Sequence, residues 1–355
     1  MDTYHVIGLM SGTSLDGLDI AHCRLTYRNK NWIYNILNAE TFAYEDYWID
    51  SLRGAETTDA RSLTALDHAF GRYMGQQVRQ FVRRHGLQPD FVASHGHTIF
   101  HQPDKHISLQ LGNGAYLAAH AQLPVVCDFR TLDIALGGQG APLVPIGDEL
   151  LFADYDYCLN LGGIANISCN YNGQRIAYDI SACNMLLNTL AQQAGYSYDE
   201  DGKLARSGSL DVALLEQLNA PEYFSQPYPK SLGKEWVLEH SLQTIAGSTA
   251  SLPDKLHTTC HHIAQQIAKA LQPANYKQRL LVTGGGAFNL YLIELLRQYA
   301  GENYTIEVPA PEIVSFKEAL VFAFLGVLRW RNEPNSLKTV TGASRNSVGG
   351  AIYMS

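Results

Sequence analysis

The sequence predicts an α/β protein of two related lobes, each built from a mixed sheet with flanking helices. Strand-like runs alternate with helical patterns along 355 residues, a length that suits about two domains. A strand, a Gly-rich turn, hairpin strands and helices follow one another from residue 4, and the same order recurs from residue 156. We therefore expect two lobes facing a common cleft. The predicted lobes are residues 1–128 with about 336–355, and residues 129–335.

The first half opens with a strand at Tyr4–Leu9. Asp19–Tyr27 and Trp32–Ala43 contain alternating, β-branched and aromatic residues, which predict antiparallel neighbours of that strand. Ser62–His85 carries apolar residues on one helical face, and Gly86 supplies a stop signal. Two further strands and a helix are predicted at Asp90–Ser94, Leu123–Asp128 and Asn113–Gln122.

The second half repeats this order. Asp156–Asn160 is predicted as a strand that ends in two glycines. Ile167–Tyr171 and Arg175–Ile180 are predicted as a hairpin, because the turn pair Asn172-Gly173 separates them. Helices at Cys183–Gly195, Lys255–Leu271 and Glu318–Arg331, and a strand at Arg279–Thr283, complete the prediction.

Charge and composition narrow the classes of partner. The formal net charge is −8 at pH 7, which argues against general nucleic-acid binding because phosphate backbones favour clustered Lys and Arg. No apolar run approaches the roughly 18 residues of a membrane span, and the N-terminal residues lack a signal-peptide pattern. Six scattered cysteines without a CxxC pair fit a reducing compartment. We expect a cytoplasmic protein that binds neither nucleic acid nor membranes.

The stretch Gly8–Gly17, GLMSGTSLDG, has the composition of a polyphosphate-binding loop. Glycines allow close backbone approach, hydroxyls donate hydrogen bonds, and a carboxylate can organise Mg²⁺ through its waters. The motif is neither a P-loop nor a dinucleotide fingerprint. The alternative is a tight hairpin turn capped by Asp and Ser. The predicted nucleotide contacts are Gly12, Thr13, Ser14, Leu15, Asp16, Gly17, Leu18 and Asp19, with Asp16 also predicted to bind Mg²⁺.

Two more Gly-rich loops follow predicted strands. Asn160–Asn166 reads NLGGIAN, and Thr283–Asn289 reads TGGGAFN before a predicted helix, whose free N–H groups favour anionic ligands. One such loop is weak evidence, but three loops, each directly after a buried strand in a duplicated chain, predict ATP binding. The nucleotide contacts predicted here are Asn160, Gly162, Gly163, Asn166, Gly284, Gly285, Gly286 and Asn289.

Together these loops resemble the anhydro-N-acetylmuramic acid kinases, members of the actin-like ATPase and sugar-kinase superfamily. The resemblance is collinear over essentially the whole chain. It implies a two-lobed actin-like (ribonuclease H-like) fold. It also implies that ATP and water convert 1,6-anhydro-N-acetylmuramic acid to the 6-phosphate of N-acetylmuramic acid, an amino-sugar reaction of cell-wall recycling. The close matches are Gly8–Asp19, Asp128–Pro145, Asn160–Ser168, Thr283–Asn289 and Val340–Ile352, and the weaker ones are Ser94–Thr98, Ser108–Gly114, Pro229–Glu235 and Glu318–Leu325.

The resemblance also implies site residues. The family's general base lies in a D-x-G-P-G-N motif, which corresponds here to Asp179–Asn184, so Asp179 is the expected base and Asn184 a substrate contact. His95, Arg130 and Glu318 are further expected substrate contacts, with Arg130 suited to a lactyl carboxylate. The alternatives are a helix cap for Asp179, an ion pair with Asp128 or Asp133 for Arg130, and a helix first turn for Glu318. A homodimer is the protein partner that we consider.

Four departures from the family pattern fall on its substrate side. Ser181-Ala182-Cys183 replaces Gly-Pro-Gly, and Asn113 replaces an acidic residue. His97 replaces Gln, and Lys234 replaces an Arg whose bidentate fork Lys cannot reproduce. The ATP loops are unchanged. A paralogous kinase with a different acceptor sugar is therefore an alternative.

Two other classes of function stay open. His97 and His101 are four residues apart, a spacing that suits zinc on a helix, and a metal-dependent branch of the superfamily uses such a pair. Gly96 and the preceding strand favour a loop instead. The altered motif after Asp179 also leaves open a non-catalytic ATP-binding protein of the same superfamily.

Overall fold

The computed structural model describes residues 2–355, and the chain forms two compact units. The first comprises the chain up to Phe152 together with Phe316–Ser355, and the second comprises Ala153–Ser315. Residues 129–152 and 316–335, which we expected in the second lobe, belong to the first unit. Packing explains this difference for residues 316–335, because Phe322 lies 4.6 Å from His95 and Trp330 lies 4.8 Å from Phe91, measured between ring centroids. Phe129, 5.7 Å from Phe322, joins the same core.

Twelve strands form two sheets within the described residues. They are β1 (Asp2–Ser11), β2 (Gly17–Arg28), β3 (Asn31–Ala43), β4 (Phe91–Gln102), β5 (Ile107–Leu111), β6 (Val125–Cys127), β7 (Tyr157–Leu161), β8 (Ile164–Tyr171), β9 (Gln174–Ala182), β10 (Gln278–Thr283), β11 (Tyr304–Glu307) and β12 (Ala351–Tyr353).

Helices flank both sheets. The α-helices are α1 (Asp46–Gly54), α2 (Ala60–His85), α3 (Gly114–Ala121), α4 (Thr131–Ala135), α5 (Pro145–Leu150), α6 (Asn184–Gln193), α7 (Lys203–Ser207), α8 (Val212–Asn219), α9 (Lys234–Trp236), α10 (Gln243–Gly247), α11 (Leu252–Ala270), α12 (Leu290–Ala300), α13 (Pro311–Trp330) and α14 (Lys338–Thr341). A π-helical turn at Val237–Leu242 joins α9 to α10, and short 3₁₀ turns lie at Ala55–Thr57, Pro103–Lys105, Glu200–Gly202, Glu222–Ser225 and Gly285–Phe288.

The two sheets share one topology. In the first unit the order is β3-β2-β1-β4-β6-β12, with β5 paired to β4. In the second unit it is β9-β8-β7-β10-β11. Each sheet has three antiparallel strands in a meander, followed by two strands parallel to the first of them. The first sheet adds β5 and β12, which pair antiparallel with β4 and β6. This duplicated order is that of the ribonuclease H-like fold, and it confirms the predicted α/β class.

Helix α2 shows why the sequence forms these elements. The Asp59 side chain accepts hydrogen bonds from two backbone N–H groups of its first turn, and Gly86 ends it with φ of 63°. Its apolar face buries Phe70, Met74 and other residues spaced by three or four against the sheet. Among residues 2–355, no helix has the length and apolar character needed to cross a bilayer.

Some predicted boundaries differ from the structure. Strand β2 begins at Gly17 rather than at Asp19, so the predicted nucleotide contacts Gly17 and Leu18 lie in this strand together with Asp19. Helix α13 begins at Pro311 rather than at Glu318, and it kinks at Phe316, where φ is −115° and ψ is 15°. Glu318 is the second residue after this kink, so it lies in the first turn of the half of α13 that was predicted from the sequence.

Candidate active site

The first Gly-rich loop joins β1 to β2 in the first unit. Its backbone turns tightly, because the Leu15 N–H donates to the Gly12 carbonyl and Leu15 adopts a left-handed conformation with φ of 63°. A non-glycine residue in this region stores local strain, which is common at ligand-binding loops. Thr13, Ser14 and Asp16 are all exposed. The loop therefore presents two hydroxyls and one carboxylate to solvent.

A buried hydrogen-bond network holds the base of this loop. The Ser11 hydroxyl, at the end of β1, lies 2.6 Å from the Tyr44 hydroxyl and 2.8 Å from His97 Nδ1. Burial lowers the pKa of His97 to about 4, so this imidazole is neutral at pH 7. His97, one of the departures from the family pattern, thus supports the start of the loop.

A β-bulge separates His95 from His97. Leu9 pairs with Ser94 and Ser11 with His97, so β4 contains one residue more than β1 across this step. Two positions apart, the two histidines would share a face of a regular strand. Here His95 packs on Phe322, at 4.6 Å between ring centroids, whereas His97 contacts Ser11 on the opposite face.

Arg130 and His95 form a second buried group in the first unit. Arg130 Nε and Nη2 donate to His95 Nε2 at 3.2 and 2.8 Å, and Arg130 Nη1 donates to the Gly140 carbonyl at 2.6 Å. His95 Nδ1 donates to the Gly96 carbonyl at 2.9 Å, which fixes the neutral tautomer. Burial, then the Arg130 charge, holds the pKa of His95 well below its usual range. Arg130 thus makes neither of the ion pairs considered from the sequence.

These contacts leave part of the guanidinium available. Three of the five N–H groups of Arg130 are used, and one remains on each terminal nitrogen. Such a pair can bind a carboxylate through two parallel hydrogen bonds. Burial lowers the pKa of Arg130 to about 10, while Glu318 and Asp133 favour its charge, so it stays protonated at pH 7. Both nitrogens of His95 are engaged within the protein, so His95 would act on a ligand through Arg130.

Carboxylates accumulate near the first loop. The pKa of Asp19 is raised by burial and by the charge of Asp16, against a hydrogen bond from Thr41 at 2.6 Å. Glu318 is accessible to solvent, yet enough protein surrounds its carboxylate to raise its pKa. Lys317 and Arg130 oppose that shift, and Asp19 adds to it. A cation here would relieve the mutual repulsion of these carboxylates.

The second and third Gly-rich loops lie against each other in the second unit. Asn160 and Asn166 pair across the β7–β8 hairpin. A Cβ atom at Gly284, where φ is 81°, would lie 2.4 Å from the Asn160 side-chain oxygen, so only glycine fits. Asn184 donates to the Leu161 carbonyl at 2.9 Å and lies beside the third loop. Within the second unit, the structure thus brings together the second loop, the third loop and Asn184.

Asn289, a predicted nucleotide contact, and Asn113, a departure from the family pattern, both have partners within the protein. The Asn289 side chain accepts a hydrogen bond from the Leu292 N–H at 3.0 Å, and it thereby caps α12. Asn113 caps α3 in the same way and also donates to Asp67 at 3.1 Å. These caps use the amide oxygens, and nucleotide contact by Asn289 stays a prediction.

Asp179 lies on β9, the edge strand of the second sheet. A β-bulge places an extra residue, Ile180, directly after it. The Asp179 carboxylate accepts a hydrogen bond from the Leu232 N–H at 2.9 Å, and its own N–H donates to the Lys230 carbonyl at 3.2 Å. Burial raises the pKa of Asp179, which the Leu232 hydrogen bond partly opposes. Cys183 is the N-cap of α6, so Asp179 is not a helix cap.

Residues 223–232 hold Asp179 in place, and the sequence did not predict this role for them. The Tyr223 hydroxyl donates to the Asp179 main-chain carbonyl at 2.6 Å. Lys230 Nζ donates to the Tyr223 carbonyl at 3.1 Å and lies 4.7 Å from the centre of the Tyr223 ring. The available signal was the weak family match at Pro229–Glu235. That match does not reveal that residues 223–232 lie against strand β9.

The histidine pair does not share a helix. His97 and His101 lie on β4, where His97 Nδ1 contacts Ser11 and His101 Nδ1 lies 3.2 Å from the Ser108 hydroxyl. Within residues 2–355, no cluster of three or more His, Cys, Asp or Glu side chains has an arrangement suited to a metal ion.

Comparison with known proteins gives a consistent result. A family model described as anhydro-N-acetylmuramic acid kinase matches residues 4–355. An anhydro-N-acetylmuramic acid kinase of Vibrio parahaemolyticus is 34% identical over 98% of this chain and 97% of its own length. The enzyme of that name from Aliivibrio fischeri is 35% identical over 98% of both chains. Among solved structures, the ADPNP-bound activator of 2-hydroxyisocaproyl-CoA dehydratase from Clostridium difficile superposes with a TM-score of 0.46 at 12% identity, covering 92% of this chain and 97% of that one.

Proposed function

We propose, from the premise that the chain belongs to the anhydro-N-acetylmuramic acid kinase family, that Asp179 is the general base of its reaction. The protein is a phosphotransferase that uses ATP to cleave and phosphorylate 1,6-anhydro-N-acetylmuramic acid. The observation that carries the assignment of Asp179 is its carboxylate, which is held by the Leu232 N–H and has a raised pKa. A carboxylate with a raised pKa is a stronger base once it is ionised.

The chemistry requires such a group. Water attacks the anomeric carbon, the bond from that carbon to oxygen 6 breaks, and oxygen 6 takes the γ-phosphoryl group of ATP. The water proton passes to Asp179, so the attacking oxygen gains electron density as the carbon–oxygen bond forms. The contacts with Lys230 and Leu232 support this role, because the Lys230 carbonyl fixes the Asp179 main chain and the Leu232 N–H fixes its carboxylate before the substrate binds.

The three Gly-rich loops are the proposed ATP contacts, because each combines accessible backbone with hydroxyl or amide groups. Mg²⁺ would be held near Asp16, where carboxylate oxygens suit a hard cation. The pKa of nearby Asp19 is raised mainly by burial and, to a smaller extent, by the negative charge of Asp16. When bound, Mg²⁺ neutralises charge on the phosphates. The compartment that we propose is the reducing cytoplasm, where ATP is available and the cysteine thiols stay reduced.

The acceptor would be recognised by charge. The two unused N–H groups of Arg130, one on each terminal nitrogen, suit the lactyl carboxylate that distinguishes muramic acid from glucosamine. Glu318 is proposed to accept a hydrogen bond from a sugar hydroxyl, and Asn184 to contribute its remaining amide proton.

The test is ADP release with and without 1,6-anhydro-N-acetylmuramic acid. We expect turnover that depends on the sugar and falls by about 10²- to 10⁴-fold in Asp179→Asn, since the amide cannot take the proton. Asp211→Asn is the matched control, because Asn also caps the helix that Asp211 begins. Turnover that needs no sugar and is unchanged in Asp179→Asn would refute the role of Asp179. Turnover with a different anhydro-sugar alone would favour a paralogous acceptor.

A further inference from the structure

Asp133 is a completely buried carboxylate in α4. Its Oδ1 accepts hydrogen bonds from the Ser336 and Thr341 hydroxyls at 2.7 and 2.8 Å, and its Oδ2 accepts one from the Gly140 N–H at 2.8 Å. All three donors are uncharged. Burying a carboxylate is costly unless its hydrogen bonds compensate fully. A buried carboxylate that is held in one position by three hydrogen bonds suggests that Asp133 has a specific function.

A continuous hydrogen-bond chain leads from Asp133 to Arg130. Gly140 connects the two, because its N–H donates to Asp133 and its carbonyl accepts from Arg130 Nη1 at 2.6 Å. Arg130 continues to His95, whose Nδ1 is bound to Gly96. The orientation of the guanidinium is thus set on one side by His95 and on the other by the carbonyl that Asp133 holds in place.

The local backbone is shaped around this carboxylate. A Cβ atom at Gly138 would lie 2.3 Å from Asp133 Oδ2, so a larger residue there would displace the carboxylate. Gly140 has φ of 67°, a region that favours glycine. The Gln139 N–H donates to the Thr341 carbonyl at 2.7 Å, which ties the same turn to the C-terminal segment.

The sequence pattern is consistent with this arrangement. Two of the close family matches, Asp128–Pro145 and Val340–Ile352, supply Asp133, Gly140 and Thr341. Apart from Arg130, the sequence predicts no site residue in these two segments. The structure shows that they meet at one carboxylate, 203 and 208 positions along the chain from its two hydroxyl donors.

We propose that Asp133 is a positioning residue that aims Arg130, through Gly140, at the carboxylate of the acceptor. It does not touch the substrate. By fixing the Gly140 carbonyl it restricts the guanidinium to one orientation, and it leaves the two unused N–H groups parallel for a bidentate contact. The proposal rests on the proposed function for its substrate, but not for the hydrogen-bond chain itself.

Steady-state kinetics test the substrate part. We expect Asp133→Asn to raise KM for the anhydro-muramic acid substrate by about tenfold to a hundredfold, with KM for ATP unchanged. With the matching anhydro-N-acetylglucosamine, which lacks the lactyl carboxylate, KM should not change. A loss of equal size for both sugars would overturn the proposal, because it would show a general structural role.

Thr341 supplies a milder variant in case Asp133→Asn does not fold. Thr341→Val removes one hydroxyl donor to Asp133 with little change of shape, whereas Thr341→Ser keeps the hydroxyl. We expect Thr341→Val to raise KM for the carboxylate-bearing sugar severalfold and Thr341→Ser to restore it. Equal values for the two variants would contradict the proposal.

An NMR measurement tests the chain of contacts without any turnover. The imidazole ¹⁵N signal of His95 Nε2 reports the hydrogen bonds from Arg130. We expect this signal to shift in Asp133→Asn or Thr341→Val, while that of His262, in the second unit, stays in place. An unmoved His95 signal would refute the positioning role. Absence of sugar-dependent turnover in the wild-type protein, together with a shifted signal, would instead refute the proposed substrate.

Discussion

Arg130 in the first unit and Asp179 in the second are held in different ways. Arg130 donates hydrogen bonds to the His95 side chain and to the Gly140 carbonyl, and the Gly140 N–H in turn donates to Asp133. These contacts form a continuous network. Asp179 lies on a strand edge and is held mainly by backbone groups of a covering segment. The contrast fits the proposed tasks. A group that recognises a fixed charge benefits from rigidity, whereas a base must change protonation state in every cycle.

The largest effect should follow from breaking the network around Arg130. Arg130→Ala leaves His95 Nε2 and the Gly140 carbonyl without donors, so we expect a loss of about 3 kcal/mol in the free energy of unfolding. KM for the sugar should rise roughly a hundredfold. Arg279→Ala is the control, because its pair with Glu307 is partly exposed and should contribute less than about 1 kcal/mol. Equal losses in urea unfolding would show that the network gives no special stability.

A smaller effect should follow from loosening the segment that holds Asp179. Tyr223→Phe removes the hydroxyl that donates to the Asp179 carbonyl, so we expect kcat to fall about fivefold to tenfold with KM for ATP unchanged. Tyr299→Phe removes a hydroxyl that contacts His261 instead, and it should leave kcat unchanged. An unchanged kcat in Tyr223→Phe would show that the main-chain contacts alone fix the base.

The smallest effect concerns stability and pH. The pKa of Asp179 in the folded protein lies above its ordinary value of 3.8, so the fold binds this proton more tightly than the unfolded chain does. The resulting stabilisation is present below 3.8 and is lost as pH rises through the folded-state pKa. Relative to wild type, Asp179→Asn should therefore gain stability in urea unfolding as pH rises from about 4 to 7.

Asp254 provides a control of opposite sign. Hydrogen bonds from Ser251 and Ser209 hold the pKa of Asp254 below 3.8, so its stabilisation is present above 3.8 and is lost as pH falls through the lowered value. Asp254→Asn should lose stability relative to wild type at neutral pH. If both variants changed with pH in the same direction, the assigned environment of Asp179 would be wrong.

Local signals in the sequence predicted the fold well. Strand and helix periodicity, turn pairs and Gly-rich loops predicted nine of the twelve strands, and the repeat predicted the common order of the two sheets. The short strands β5, β11 and β12 were not predicted. Boundaries were less accurate where pairing extends an element, as at Gly17, which pairs with Ala43. The caps formed by Asn113 and Asn289 follow a local rule and could have been recognised.

Long-range contacts could not be predicted in this way. Tyr223 and Leu232 reach Asp179 from 44 and 53 positions along the chain. No local pattern states which strand edge a later segment will cover. The family resemblance led to the prediction of Asp179 and Arg130 as site residues, but the groups that hold them became visible only in the structure.

The bulge at His95 and Gly96 has a consequence for how this protein can diverge from its relatives. Because neighbouring histidines face opposite sides of one sheet, a substitution at position 97 changes the surroundings of Ser11 while Arg130 keeps its partner. We therefore expect a substitution beside the first Gly-rich loop to leave the surroundings of the Arg130 guanidinium unchanged. The bulge thus allows the surroundings of Ser11 and those of Arg130 to change independently, although His95 and His97 are only two positions apart in the sequence.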